Sequence, residues 1–249
     1  MNIAAPLIQF DTAPRRPAVR LRNLTRIFSG RTVLDDVSLD IAAGEFVALI
    51  GKSGSGKTTL LRAIADLDDD AEGQGSITVP ESRSVLFQDS RLLPWENLLR
   101  NVTLGLQAPD AAKRGLQALA DVGLAARENA WPGVLSGGEQ QRAALARSLV
   151  REPALLLADE PFGALDALTR LRMHELLFRL VAVHRPAVLL VTHDIDEALK
   201  LADRVLVMDQ GRIVVDRPVA LRHPPRHTEA GFASRREELL AALGVVERV

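Results

Sequence analysis

Residues 51–58 read Gly51-Lys52-Ser53-Gly54-Ser55-Gly56-Lys57-Thr58, between an apolar run at 46–50 and a helical pattern at 57–65. No other feature constrains the fold as strongly. Glycines let a chain leaving a buried strand curl so that consecutive N–H groups face one anion, and the helix that follows adds its positive end. Lys57 can reach β- and γ-phosphate oxygens, and the Thr58 hydroxyl can ligate Mg2+. A chance Gly-rich turn is the bland alternative; at ordinary residue frequencies the pattern arises in about one chain per hundred of this size, and the strand–loop–helix setting removes most of those. Two of the four lysines of the chain, Lys52 and Lys57, fall inside this loop.

The rest of the chain alternates in the same way. Short aliphatic runs at 84–87, 154–158, 188–191 and 205–207 read as strands buried on both faces. Helical patterns lie at 111–122, 139–150, 168–184, 195–202 and 235–243. Alternating strands and helices predict an α/β fold around a parallel sheet, and the strand-like stretch 19–41, with its turn at Ser29-Gly30, adds an antiparallel layer. Residues 68–75, acidic and Gly-containing, read as a loop, and 97–131 as a helical lobe inserted into the core. Residues 1–18, with Pro6, Pro14 and Pro17, read as a loosely ordered leader. Pro224 and Pro225 punctuate the approach to a last helix.

Composition excludes several classes. There is no Cys among 249 residues, which removes disulfides, thiolate metal sites and a Cys nucleophile. The 47% hydrophobic content is too high for disorder, and a net charge of −1 gives no electrostatic reason to expect nucleic acid. No segment approaches the roughly 20 apolar residues of a membrane span. The first residues lack the basic start of a secretory signal, so the chain is expected to stay on the cytosolic side.

Two further motifs carry chemistry. The strand at 154–158 runs into Asp159 and Glu160. Carboxylates at the carboxyl end of a parallel strand point into the crevice where such sheets bind ligands. Asp159 suits Mg2+, and Glu160 suits polarising an attacking water. Leu135-Ser136-Gly137-Gly138-Glu139-Gln140-Gln141-Arg142 is a second helix start, with an N-cap serine and two bare glycine amides. One chain needs one phosphate loop, so a second anion-binding start suggests completing the site of another copy. A plain Ser/Gly helix cap is the alternative for that segment alone.

These three elements, in this order, resemble the ATP-binding subunits of ABC transporters, over about residues 21–215. The resemblance implies an ABC ATPase core over 19–220 with a mixed, mostly parallel sheet, an antiparallel β subdomain and a helical subdomain inserted at about 89–150, followed by a short tail with a helix at 221–249. It implies ATP and Mg2+ as cofactors, with Gly51, Lys52, Ser53, Gly54, Ser55, Gly56, Lys57, Thr58 and Thr59 around the phosphates. By the same resemblance Phe28 stacks on adenine, in place of a more frequent Tyr. Gln88 links the Mg2+ and water site to a membrane partner, His193 contacts the γ-phosphate, and Asp166 lies at a subunit interface. Thr58, Gln88 and Asp159 would hold the metal, and Ser136, Gly137 and Gly138 would serve the nucleotide of a head-to-tail second copy. Departures are small: Glu139 stands where Gln is frequent, Ala158 where Leu is frequent, and 75–85 is short enough to trim one hairpin. His174, His184, His223 and His227 have no comparable setting and read as surface residues.

Within the family, arithmetic separates subclasses. There is no fused membrane span and only one phosphate loop. Only 47 positions separate Gln88 from Leu135, with no heptad run between them, which leaves no room for the coiled coils of chromosome ATPases. A stand-alone chain of this kind resembles the motor of a bacterial importer, peripheral on the cytoplasmic face of the inner membrane. Its expected partners are a second copy, two transmembrane permease subunits and, indirectly, a periplasmic solute-binding protein. The stretch from Gln88 to Trp95, with Pro94-Trp95, resembles importers of nitrate, sulfonates and taurine; Trp131-Pro132-Gly133-Val134 and the tail at 222–243 look most like those of aliphatic sulfonates. Taurine or nitrate import remains open, as does a soluble ATP-dependent switch with a non-membrane partner. A packed loop corner is the bland alternative for Pro94-Trp95.

Overall fold

The computed structural model describes residues 16–219 and 231–244. Most of the expected leader, the Pro224-Pro225 stretch, His223 and His227 lie outside the described residues. Strand β1 (Pro17–Phe28) already begins at Pro17, one residue inside the expected leader boundary. It pairs antiparallel with β2 (Arg31–Ala42) and with β4 (Glu72–Thr78), giving a three-stranded sheet in the order β2-β1-β4. The expected loop at 68–75 is therefore a strand in its second half. Nearly every residue of β4 is exposed, so it has no apolar alternation to read; backbone pairing with β1 holds it.

A second sheet has six strands in the order β5-β6-β7-β3-β8-β9. Strands β3 (Phe46–Gly51), β5 (Arg83–Leu86), β6 (Leu155–Asp159), β7 (Ala187–Val191) and β8 (Arg204–Asp209) are parallel, and β9 (Arg212–Pro218) closes the edge antiparallel to β8. The central strands alternate between two hydrophobic clusters. Phe46, Ala48 and Ile50 of β3 face one, and Val47 and Leu49 face the other. Apolar cover on both faces is why these strands read as unbroken aliphatic runs.

Helix α1 (Lys57–Ala65) and the small sheet cover one face, through Leu60, Leu61 and Ile64. The other face carries α4 (Gly137–Leu149), α5 (Ala167–His184), α6 (Ile195–Leu201) and α7 (Phe232–Ala242). The helical lobe, α2 (Leu98–Val102) and α3 (Ala111–Asp121), joins this cluster through Leu98, Val102 and Leu119.

One expectation needs correction, and one alternative falls. His174 is buried on the inner side of α5, not a surface residue: its Nε2 lies 3.1 Å from Glu197 Oε1, and its ring meets Phe162 edge-on at 5.0 Å. A lone histidine in a helix heptad gives no sign of a buried carboxylate partner on another helix. His184, near the end of the same helix, is half-buried. Trp95 is 68% exposed and packs no corner. Buried Asn101 holds that loop instead: its Oδ1 accepts from Leu93 N at 2.6 Å, and its Nδ2 donates to the carbonyls of Leu93, Glu96 and Asn97.

Edge strand β9 was not foreseen, yet its turn supports the site. Gln210 and Gly211 both have positive φ, 45° and 79°, as a two-residue hairpin of primed type requires. Gly211 N–H donates to Ser55 O at 3.0 Å, and its carbonyl accepts from Asp35 N–H at 3.0 Å, so the turn braces the phosphate loop against β2. A Cβ on Gly211 would come within 2.5 Å of the Val33 carbonyl. Gly211→Ala is expected to cost at least about 1 kcal/mol in urea unfolding and to weaken nucleotide binding through the displaced loop; unchanged stability and affinity would refute this brace.

Candidate nucleotide site

Glycine 56 opens α1 as its N-cap with φ 106°, a conformation that costs an L side chain, and it offers no side-chain cap. The first amides of α1 are therefore left for a ligand. Lys57 is 7% exposed and folds back under the loop, donating from Nζ to Gly51 O at 2.8 Å and Lys52 O at 2.9 Å. Burial pulls its ammonium below the ordinary lysine range, against the pull of the nearby Glu160 and Asp159 charges.

Strand order brings the remaining groups alongside. Because β7 lies between β6 and β3, Asp159, Val191 and Leu49 stand in one row. Thr58 Oγ1 donates to Asp159 Oδ1 at 3.2 Å. Burial pushes the Asp159 carboxyl above its ordinary value; the Thr58 hydrogen bond opposes that, and Glu160 adds to it. Glu160 N–H is held by Val191 O at 2.9 Å, with the residue at φ 44°, an uncommon conformation for a non-glycine and one that often marks functional sites. Its Oε2 lies 3.0 Å from His193 Nδ1, just past the end of β7, so the two side chains fix each other. Lys57, Thr58, Thr59, Glu160, His193 and the loop glycines line one concavity of about 380 Å3.

Gln88 is exposed and is not on the wall of that concavity, but it lies near Glu160: a methyl on Gly163 would sit 3.4 Å from Gln88 Nε2 and 3.9 Å from Glu160 Oε2. Phe28 ends β1 half-buried and is not on the wall of the phosphate concavity. Lys52 is exposed, and the Ser55 hydroxyl is buried.

Ser136, Gly137, Gly138 and Asp166 come together elsewhere. Ser136 Oγ accepts from Glu139 N–H at 3.3 Å, while Glu139 Oε2 accepts from the Ser136 N–H and hydroxyl at 2.9 Å each, a full capping box. Those bonds, backbone first, pull the Glu139 carboxyl down, so an acid here serves the cap. Asp166 caps α5, accepting from Thr169 Oγ1 at 2.6 Å and from the Leu168 and Thr169 amides. Both helix starts border a concavity of about 690 Å3 that shares no lining residue with the phosphate concavity. The start of α4 and the start of α1 thus face different openings.

A family model described as ABC transporter matches residues 34–163. The chain belongs to the ABC transporter family. It is 64% identical over 232 residues to the aliphatic sulfonates import ATP-binding protein SsuB 2 of Streptomyces avermitilis, covering 93% of each chain. With the protein of the same name in Nocardia farcinica it shares 66% identity over 227 residues, 91% of this chain and 95% of that one. Among solved structures, the dimeric ATP-binding cassette MJ0796 bound to ADP and Pi superposes with a TM-score of 0.70 at 31% identity, over 81% of this chain and 98% of that one. The fold is that of an ABC ATPase cassette, and the chain is an ATP-binding, ATP-hydrolysing member of the family.

Metal chemistry fits the donors present. Among the described residues no group of three or more His, Cys, Asp or Glu side chains could hold an ion by itself. A paired hydroxyl and partly buried carboxylate beside a phosphate cradle suits Mg2+, which takes one or two protein ligands and completes its shell with phosphate and water.

The raised Asp159 gives a stability test. Its ionised form is disfavoured in the folded state, so the penalty is present above the folded pKa and vanishes below the ordinary carboxylate range. Asp159→Asn, which keeps an oxygen for Thr58, should raise the melting temperature of the nucleotide-free protein at pH 7–8. That advantage should shrink as pH falls toward 4.5. A pH-independent difference would contradict the assignment.

Proposed function

We propose that this chain is the ATP-hydrolysing subunit of a bacterial importer for aliphatic sulfonates, working as a head-to-tail dimer beneath two transmembrane permease subunits. The observation that carries the reading is the separation of the two helix starts: Lys57, Glu160 and His193 on one concavity, Ser136 and Asp166 on another. A second copy turned head to tail would bring the Ser136 start of one chain to the phosphate loop of the other. The solute is read from the relatives, whose names specify aliphatic sulfonate import at up to 66% identity. No helix among the described residues is long and apolar enough to cross a membrane, which suits a peripheral subunit on the cytoplasmic face, with Gln88 and the exposed Trp95 toward the permease. A periplasmic binding protein would act on it only indirectly.

In this mechanism the amides of the loop and Lys57 bind the β- and γ-phosphates. Thr58, Asp159 and Gln88 would hold Mg2+, which supplies charge neutralisation when bound. Glu160 orients a water on the γ-phosphorus and receives its proton as the bond from γ-phosphorus to the bridging oxygen breaks; the electron pair leaves with ADP. His193, held by Glu160, contacts the γ-phosphate, Phe28 stacks on adenine, and Ser136, Gly137, Gly138 and Asp166 complete the partner's site.

Glu160→Gln should still bind Mg-ATP and slow hydrolysis at least tenfold, about 1.4 kcal/mol of barrier, with an ATP-bound dimer accumulating on gel filtration; wild-type turnover would remove Glu160 from its role. Lys57→Ala should weaken nucleotide binding itself. Specific activity should rise with protein concentration, since the active species is a dimer. Ser136→Arg should be nearly inactive alone. Concentration-independent activity, with a fully active Ser136→Arg monomer, would defeat the dimer. For the solute, a strain deleted for this chain should lose growth on an alkanesulfonate as sole sulfur source but keep growth on sulfate; undiminished alkanesulfonate growth would reject it.

A further inference from the structure

We infer that Gln141 is a positioning residue, linking the helix start that serves the partner's nucleotide to the residues that hydrolyse the chain's own. The inference rests on the head-to-tail dimer proposed above. Gln141 lies in α4, five residues beyond Ser136, and is 3% exposed. Its Nε2 donates to Phe87 O at 3.0 Å and to Pro161 O at 2.8 Å, which uses both protons of the amide. Phe87 immediately precedes Gln88, and Pro161 immediately follows Glu160. One side chain therefore holds the backbone beside each of two proposed site residues.

The loop that carries Gln88 is fastened to the same helix twice more. Ser90 Oγ donates to Gln140 Oε1 at 3.2 Å, and Arg147 donates to Arg91 O at 2.8 Å and Ser90 O at 2.6 Å. The Arg91 guanidinium lies 3.6 Å from the centre of the Phe87 ring. Glu160, in contrast, is tied to the sheet through Val191 O. A shift of α4 against the sheet thus carries the 87–91 loop with it and strains the bond to Pro161. Leaving the buried Pro161 carbonyl or the half-buried Phe87 carbonyl without a donor is unfavourable, so α4 has a preferred seat in which Gln88 and Glu160 stand together. Docking of the partner's γ-phosphate on Ser136, Gly137 and Gly138 acts on the other end of that helix. No carboxylate could replace this residue, because an ionised Glu has no proton to donate.

Gln141→Met keeps length and volume and removes both donors. In the purified full chain, affinity for a fluorescent ATP analogue should stay within twofold of wild type, since the phosphate loop is untouched. The value of kcat should fall at least tenfold, and the ATP dependence, expected to be sigmoidal in the wild-type dimer, should become hyperbolic. A folded variant with lowered melting temperature but wild-type kcat and curve shape would mean a merely structural role and would overturn the inference. Hydrogen exchange tests the link with Gln141 intact. In Glu160→Gln with ATP, amides of 87–91 and 136–141 should gain protection together, and adding Ser136→Arg should remove it from both. Loss at 136–141 with retention at 87–91 would overturn the role of Gln141 alone. A Glu160→Gln chain that stays monomeric in ATP would overturn the dimer, and this inference with it.

Discussion

Parallel pairing of β7 with β6 on one side and β3 on the other places Asp159, Val191 and Leu49 in one row, and the nucleotide site depends on that row. Parallel strands end at one edge of the sheet, and ligands bind beyond that edge. The phosphate loop follows β3, Glu160 follows β6 and His193 lies just past β7, so groups more than a hundred residues apart in the chain share one small concavity, with Asp159 at the end of β6 reached through Thr58. The backbone bonds Glu160 N–H to Val191 O and Thr192 N–H to Leu49 O extend the pairing past the last strand residues and hold the connecting turns. Two hydrophobic clusters, one on each face, keep this edge rigid.

The charges at that edge are poorly solvated by the protein alone. Burial disfavours both the Lys57 ammonium and the Asp159 carboxylate. Glu160 adds a strained backbone conformation. Such features lower the stability of an empty site and are characteristic of residues arranged for a ligand. A nucleotide would supply the anion that Lys57 lacks, and a divalent ion the cation that Asp159 lacks. Protein groups meanwhile supply what partial satisfaction they can: loop carbonyls for Lys57, the Thr58 hydroxyl for Asp159, and His193 for Glu160.

Helix α4 has a different economy at each end. Its start is exposed and closed by a Ser136–Glu139 capping box, with two glycine amides beside it. Buried Gln141 and half-buried Gln140 and Arg147, the last in the final turn, grip the loop around Gln88. On the proposed head-to-tail reading, a helix with the Ser136 start at its tip and a hold on the Gln88 loop is a physical means by which two nucleotide sites sense each other. The buried pair of His174 and Glu197 braces the neighbouring side: Glu197 also accepts from the Thr192 hydroxyl, next to His193. Histidine 193 thus sits on a turn anchored from below.

The sequence by itself determined the parts whose information is local. Gly51 to Thr58 specifies a strand–loop–helix phosphate cradle because glycine backbone freedom and one lysine suffice for it, and the helix starts where expected, at Lys57. The aliphatic runs before Asp159 and His193 specify buried parallel strands because both faces must be apolar, and Ser136 specifies a helix cap by its own hydroxyl. Exposed β4 carried no such pattern, since its pairing with β1 rests on backbone bonds that any side chain permits, and β9 offers only the short run Ile213-Val214-Val215, of which Ile213 and Val215 are half-buried. Only the tertiary structure decided that β7 lies between β6 and β3, that the Gly211 turn braces Ser55, that His174 meets Glu197, and that Gln141 reaches both Phe87 and Pro161. Each of those joins residues 20 or more positions apart through one or two hydrogen bonds or through strand order, and a contact of that kind leaves no periodicity in the chain for a reader of the sequence to find.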